Sequence, residues 1–338
     1  MERIEKIEKI DIPKKAKELN EKLLKENDKL KKENKDLKSA SYELIKDDGT
    51  KEYYSSVNHQ LLKKIDKDET IWEYHPNNGM LLKKTDKYHT VTEYGSHGKR
   101  IKETLSNGVW TEFNPLNDKM IKRKNINGSL EEFDENENRI KETSYYQNGN
   151  IYQLREYDKD TGKQVKTTSY QNDGKTISFI YDYDKNTEND VKDTYYQNDG
   201  KTIKKIFEYN KDNGRKIKEI YYQSDGKTIQ NIIEYDKVTS KKVKETYYKN
   251  DGKTINYLYE YDKDTGNKVK EIHYPTKAMV FFINEYDKNT GIQVKETIYQ
   301  DDGKTINFVI EYDKNTGKKI KETIYKIDGK TIDKIIRY

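Results

Sequence analysis

Five histidines, His59, His75, His89, His97 and His273, are the side chains of this sequence suited to hold a transition metal or move a proton near neutral pH. Four of them fall between residues 59 and 97 at offsets that do not repeat, and no two show metal-site spacing. Surface and strand-end positions are the expectation for all five. The turn Asp262-Lys263-Asp264-Thr265-Gly266 alternates oxygen donors in the manner of a calcium loop. An EF-hand loop, however, places a third Asp or Asn fifth and Gly sixth, and here Gly is fifth. The serines lack a His partner at a diagnostic spacing, and no Gly-rich phosphate loop occurs. Carboxylate pairs such as Glu245 and Glu260 recur unit after unit, whereas a catalytic site is normally unique in a chain. These residues predict no enzyme, no cofactor and no metal.

Binding chemistry is better represented. Lys192, Lys218, Lys244, Lys270, Lys295 and Lys321 form one ladder, interleaved with tyrosines, and cations beside rings along a groove hold single-stranded nucleic acid. Against that reading, Glu219, Glu245, Glu271, Glu296 and Glu322 run beside the ladder on the other face. In a thin sheet their field cancels much of the attraction within a Debye length of about 8 Å. Packing of Lys stems on Tyr rings is therefore the leading expectation, and nucleic acid is not the expected partner. A second candidate surface is the departure from the repeat at His273-Tyr-Pro-Thr-Lys-Ala-Met-Val-Phe-Phe. Ala278 to Ile283 is the most apolar window of the chain, so Met279, Val280, Phe281 and Phe282 are candidates for docking a protein partner. Packing on neighbouring units is the plainer alternative. Trp72 and Trp110 are weaker candidates of the same kind.

The elements that position these residues follow from a repeat. A Glu/Asp-aromatic pair recurs with its aromatic at Tyr53, Tyr74, Tyr94, Phe113, Phe133, Tyr157, Tyr183, Tyr209, Tyr235, Tyr261, Tyr286 and Tyr312, and Tyr338 lands in phase. The spacing is 19 to 21 residues up to Phe133, 24 to Tyr157, and 25 or 26 thereafter. In Lys242 to Tyr261, Asp251-Gly252 separates two strand-like runs, which predicts a two-residue type I′ hairpin turn. A second turn, of the form Tyr-Asp-Lys-Asp/Asn-Thr-Gly, follows the second strand and ends at Gly162, Gly266, Gly291 or Gly317. Centring the turn on Asp-Gly sets Tyr248 opposite Ile255, Thr246 opposite Tyr257 and Lys244 opposite Tyr259. The expected fold is mainly β: tandem hairpins in an elongated antiparallel meander or loosely wound solenoid behind a short N-terminal helix. The expected segments are a helix region 1–40, short units over 41–149 and long units over 150–338.

Residues 14–39 carry the helix. Leu23, Leu30 and Leu37 are spaced by seven, with Asn20, Asn27 and Asn34 three positions before each. With Leu at d and Asn at a, the charges suit a parallel two-stranded coiled coil, and so a homodimer through 14–39. The alternative is a solvated helix that caps the first hairpin.

Composition bounds the rest. Of 338 residues only 31% are apolar, 30 of them Tyr, while 38% are charged; this is too little Leu, Val, Ile and Phe for one thick core. Yet 12% aromatic content is too high for a disordered chain. With 66 basic and 61 acidic residues the net charge is +5, which is not the footprint of a dedicated nucleic-acid binder. No Cys is present, so disulfides and thiolate metal sites are excluded. The charged first 40 residues contain no apolar h-region, and no membrane span is visible. The default expectation is a cytoplasmic chain, or a secreted one if a signal has been trimmed.

The strings EYDKNTGIQVKETIYQDDGKTINF and EYDKNTGKKIKETIYKIDGKTI resemble the tandem-repeat domain of unknown function abundant in phytoplasma proteins, over about 145–338. More distantly, the chain is similar to MORN-variant and YD-type hairpin repeats. The resemblance implies a bacterial, wall-less, host-associated source and no assigned activity. Together these readings predict a non-enzymatic, effector-like scaffold for protein interaction. The alternatives are a binder of polyanions or single-stranded nucleic acid, and an antitoxin- or immunity-like binder.

Overall fold

A computed structural model describes residues 12–37, 41–276 and 279–338. Of the candidate residues, Ala278 and the side chain of Leu37 lie outside the described residues. The fold is mainly antiparallel β, with one helix, α1 (Ile12–Leu37), and 26 strands among the described residues. The chain forms two compact units, 1–163 and 164–338. In the first, α1 precedes twelve strands, from β1 (Ser41–Ile45) to β12 (Ile151–Tyr157). In the second, β13 (Gln164–Tyr170) to β26 (Ile332–Arg337) follow one another. Within each unit every strand pairs with the next in sequence, as short loops between alternating strands require.

The tight turn differs from the type I′ expectation. Lys249 N–H donates to Thr254 O at 2.8 Å and Gly252 N–H donates to Lys249 O at 2.9 Å, so Asn250 and Asp251 make the corner and Gly252 follows it at φ +65°. The Asp251 carboxylate accepts from the Lys253 and Thr254 N–H groups at 2.9 and 2.8 Å. These bonds draw Lys253 and Thr254 into the loop. In the short units the loop is one residue tighter, Lys46 N–H donating to Thr50 O around Gly49. The second turn is closed by its leading Asp: Asp262 accepts from Asp264 and Thr265 N–H, and Gly266 donates back to Asp262 O.

Bulges at both ends of the long strands overturn the register expected from the sequence. In β19 (Lys242–Tyr248) against β20 (Ile255–Tyr261), Tyr248 faces Ile255, but a register shift at Tyr247/Tyr248 moves every other pair by one. Thr246 faces Leu258, Tyr247 faces Tyr257, Glu245 faces Tyr259, and Lys244 faces Glu260. Because side chains alternate with period two, that single step exchanges the neighbours of each face.

Burial is shallow, as the composition requires. The best-covered apolar side chains of the first unit include Leu62, Leu82 and Ile101, together with Ala16 and Leu23 from α1. Those of the second include Ile206, Ile220, Ile272 and Val309 in a β-branched row shared with Thr194, Thr246, Thr297 and Thr323. No described helix is long and apolar enough to cross a membrane.

Candidate interaction surface

Two rows of side chains define the faces. On one face the lysines do not alternate with tyrosines, as the sequence suggested, but with acids. Across the second unit the rung reads Lys166, Asp182, Lys192, Glu208, Lys218, Glu234, Lys244, Glu260, Lys270, Glu285, Lys295, Glu311, Lys321, and ends on Arg337. The first unit repeats it from Lys63 through Glu73, Lys83, Glu93, Lys102, Glu112, Lys122, Glu132 and Lys141 to Glu156. Opposite charges directly across a strand pair attract, and some close to contact, as with Lys321 and Glu311 at 3.2 Å. A cation ladder for nucleic acid is thus neutralised rung by rung.

The opposite face is built on carboxylate hubs. Glu245 accepts from Lys242 at 3.1 Å, from the Tyr247 hydroxyl at 2.9 Å and from the Tyr261 hydroxyl at 2.8 Å. Burial alone would raise its pKa, and those three donors outweigh burial and hold it below the ordinary value. The same hub pushes Tyr247 up to about 12, by burial first and then by its bond to Glu245. Glu219 is arranged alike, with Lys216, Tyr221 and Tyr235. Hub lysines of the second unit lie over Tyr rings, Lys242 over Tyr261 at 5.3 Å and Lys268 over Tyr286 at 4.4 Å, and in the first unit the ladder lysine Lys63 lies over Tyr53 at 5.7 Å.

The hubs at Glu296 and Asp193 lack that lysine: Gln293 stands three before Glu296, and the Asp193 hub departs further. Asp190 replaces the Lys three residues before Asp193. Asp193 is 6% exposed, takes the Tyr209 hydroxyl at 2.6 Å on Oδ2, and its Oδ1 has no hydrogen-bond partner. Burial, with a contribution from Asp190, raises its pKa against the pull of Tyr209.

Beside the hubs runs a row whose residue changes from strand to strand: Tyr221, Asn231, Tyr247, Tyr257, His273, Phe282, Ile298 and Phe308. The broken unit lies within it. His273 stacks on Tyr257 at 4.3 Å, with Phe282 at 5.5 Å and Phe281 at 6.0 Å from its ring. Phe281 is 47% exposed and Phe282 is half-buried. Val280 N–H donates to Gly303 O at 3.3 Å, and Met279 sits against Gly303, so both pack on the following turn. Trp72 and Trp110 are half-buried beneath Lys84 at 4.7 Å and Lys102 at 4.9 Å. Sequence reasoning missed the row because its register depends on the bulges.

Three of the histidines, His59, His75 and His89, shape turns. His59 and His89 hold positive φ in turns where other units place Gly. His75 Nδ1 accepts from Asn77 and Asn78 N–H, the part Asp plays elsewhere. Among the described residues no group of three or more His, Asp or Glu is placed to hold a metal.

The ladder is covered in one unit and bare in the other. In the first, α1 lies across the strands: Lys31 meets Glu93 at 2.8 Å on β6 (Val91–Tyr94), and Lys17 meets Glu132 at 3.4 Å on β10 (Leu130–Phe133). The buried stripe of α1 is Ala16, Asn20, Leu23 and Asn27, with Leu30 half-buried. Leu23 and Ile101 close together over Gly95, where an added Cβ would meet Ile101 at 3.1 Å. Leu23, Asn20 and Asn27 are therefore engaged within the chain, and a coiled coil through the same stripe would have to displace this packing. Asn20 is 1% exposed and neither its Nδ2 nor its Oδ1 has a partner. Glu93 and Glu132 side chains are 15% and 25% exposed, against 42%, 43% and 40% for Glu234, Glu285 and Glu311 in the second unit.

Residues 124–169, 145–195, 196–247, 222–273, 248–298, 277–324 and 299–338 each match the family described as Protein of unknown function (DUF2963). The chain belongs to this family. The seven matches begin at the end of β9 (Met120–Lys124) and cover the whole second unit. No curated protein matches the sequence. Among solved structures, the chain is similar to TcdB2-TccC3 at 13% identity, over 83% of this chain and 18% of that one, with a TM-score of 0.15. It is similar to a Photorhabdus luminescens Tc holotoxin pore at 14% identity, over 86% and 18%, with a TM-score of 0.15. It is also similar to S. aureus TarM at 15% identity, over 46% and 25%, with a TM-score of 0.13. The chain spans about a fifth to a quarter of these structures, and scores this low carry no argument about function.

Proposed function

We propose that this chain is a non-catalytic scaffold that binds protein partners along the variable row of its second unit. The observation that carries this reading is the contrast between rows. Ladder, hubs and turns repeat their chemistry, while the row from Tyr221 to Phe308 changes residue at nearly every strand and exposes the Tyr247 ring, with the exposed Phe281 ring beside its His273. Half-exposed aromatics on a rigid sheet are the usual anchors of a protein interface. Charge alternation on the other face works against polyanion binding, since an inner ladder Lys such as Lys244 has acids on both neighbouring strands.

The test exposes the immobilised full chain to three samples, a bacterial lysate, a host lysate and a labelled oligo-dT strand. A protein is expected to be retained, and its retention to fall at least tenfold in Tyr257→Ala/Phe281→Ser/Phe282→Ser with unchanged circular dichroism. Steeply salt-dependent retention of the oligonucleotide instead would sink the reading in favour of nucleic acid.

A further inference from the structure

The second unit holds an open groove of about 640 Å³ on its ladder. Its floor is Glu208, Lys218, Glu234, Lys244 and Glu260, and Val243 lines it among other bulge residues. It spans β16 (Ile203–Tyr209) to β21 (Lys268–His273), five strand spacings, about 24 Å. The first unit shows what fits such a floor. There α1 seats an Ala/Asn/Leu stripe on Leu82 and Ile101 and sets two lysines on ladder glutamates four strands apart. The geometry is commensurate. Lys17 and Lys31 are fourteen residues apart, about 21 Å of helix, and four strand spacings are about 19 Å. A cation every seven residues therefore meets an acid every second strand.

We propose that this ladder groove is a docking site for an amphipathic helix of a protein partner, with a small or apolar stripe and Lys or Arg at seven- or fourteen-residue intervals. Glu234 and Glu260 receive the cations, and Val243 and its bulge neighbours receive the stripe. The proposal rests on the scaffold reading but uses the face opposite the variable row, so either can fail alone.

The probe is a labelled synthetic peptide of residues 12–37, a helix of the required chemistry, titrated against the full chain by fluorescence anisotropy. Saturable binding is expected, with a rise in peptide helicity. Glu234→Lys/Glu260→Lys should weaken binding at least tenfold, and Glu234→Gln/Glu260→Gln, which leaves no reversed charge in the sheet, several-fold. Asn20→Leu, which tightens α1 on the first ladder, should leave it within twofold. Absence of saturable binding at low salt overturns the proposal. So does loss of binding in Asn20→Leu alone, which would mean exchange with α1. A doubling of the chain's own sedimenting mass that disappears in Glu234→Lys/Glu260→Lys would give the groove to a second copy and equally overturn it.

Discussion

In the first unit Glu93 and Glu132 face the lysines of a helix, while in the second Glu234, Glu285 and Glu311 pair with lysines of neighbouring strands and stand open to solvent. The rungs are the same, so the difference lies in what covers them. Covering changes the electrostatics. Glu112, a rung beneath α1, is raised by burial despite Lys122 and Lys102 on either side. It also changes where apolar surface goes. Ile101 is fully buried, whereas Val243 at the corresponding position of the second unit is half-exposed. A ladder of alternating charge is thus a neutral floor that tolerates either water or a helix, and the stripe laid on it decides which.

The largest way to break the comparison is to loosen α1. Leu23→Ala removes the side chain that closes on Ile101 and Gly95, at an expected cost of about 3 kcal/mol. Hydrogen exchange should speed across β6 to β10 and stay unchanged across β16 to β21. Equal acceleration in both units would show that the helix does not act on the first ladder alone. Glu112 adds a sign. Its folded pKa is raised, so its contribution to stability is greatest at acid pH and is lost as pH rises through the folded value. In Leu23→Ala that downward slope should flatten, because water regains the carboxyl.

Asn20 gives the opposite change. It is buried in the stripe with both amide atoms unpartnered, so Asn20→Leu should stabilise the first unit by about 2 kcal/mol. Urea unfolding followed by exchange in β6 to β10 measures it, and a destabilised variant would mean that the amide has a partner in solution.

The helix shows how much was legible. Leucines at Leu23 and Leu30 mark a stripe whatever it packs on. Seven residues of helix rise about 10.5 Å and two strand spacings span about 9.6 Å, so one period suits a partner helix and a ladder alike. Sequence spacing cannot separate the two; within the chain, Lys31 and Lys17 set the helix on the ladder acids Glu93 and Glu132. The strands and turns were legible from the aromatic period and from Asp-Gly. The register was not, because it turns on Lys253 and Thr254 being drawn into the loop by the Asp251 carboxylate. With the register went the ladder and the variable row, both of which exist only as cross-strand relations.

The smallest expected effect sharpens the comparison between a ladder acid and a hub acid. Glu112 and Asp193 are both raised by burial, but Glu112 sits between two lysines and Asp193 has Asp190 where a Lys stands in the Glu245 hub. A native carboxyl raised above its unfolded value binds its proton more tightly when folded. Asp193 therefore lowers stability as pH rises through its folded pKa, whereas the lowered Glu245 lowers it as pH falls through its own. Asp190→Lys supplies the missing ammonium. It should add about 1 kcal/mol at pH 7 and reverse the local slope, so that the protection factors of β15 (Asp190–Tyr196), which correct for the intrinsic rise of exchange with pH, increase rather than decrease from pH 4 to 6. An unchanged slope would mean that the lysine cannot reach Asp193 and that its Oδ1 is buried beyond the hub. The reversal would instead show that one residue, three before the carboxylate, sets the charge of each hub.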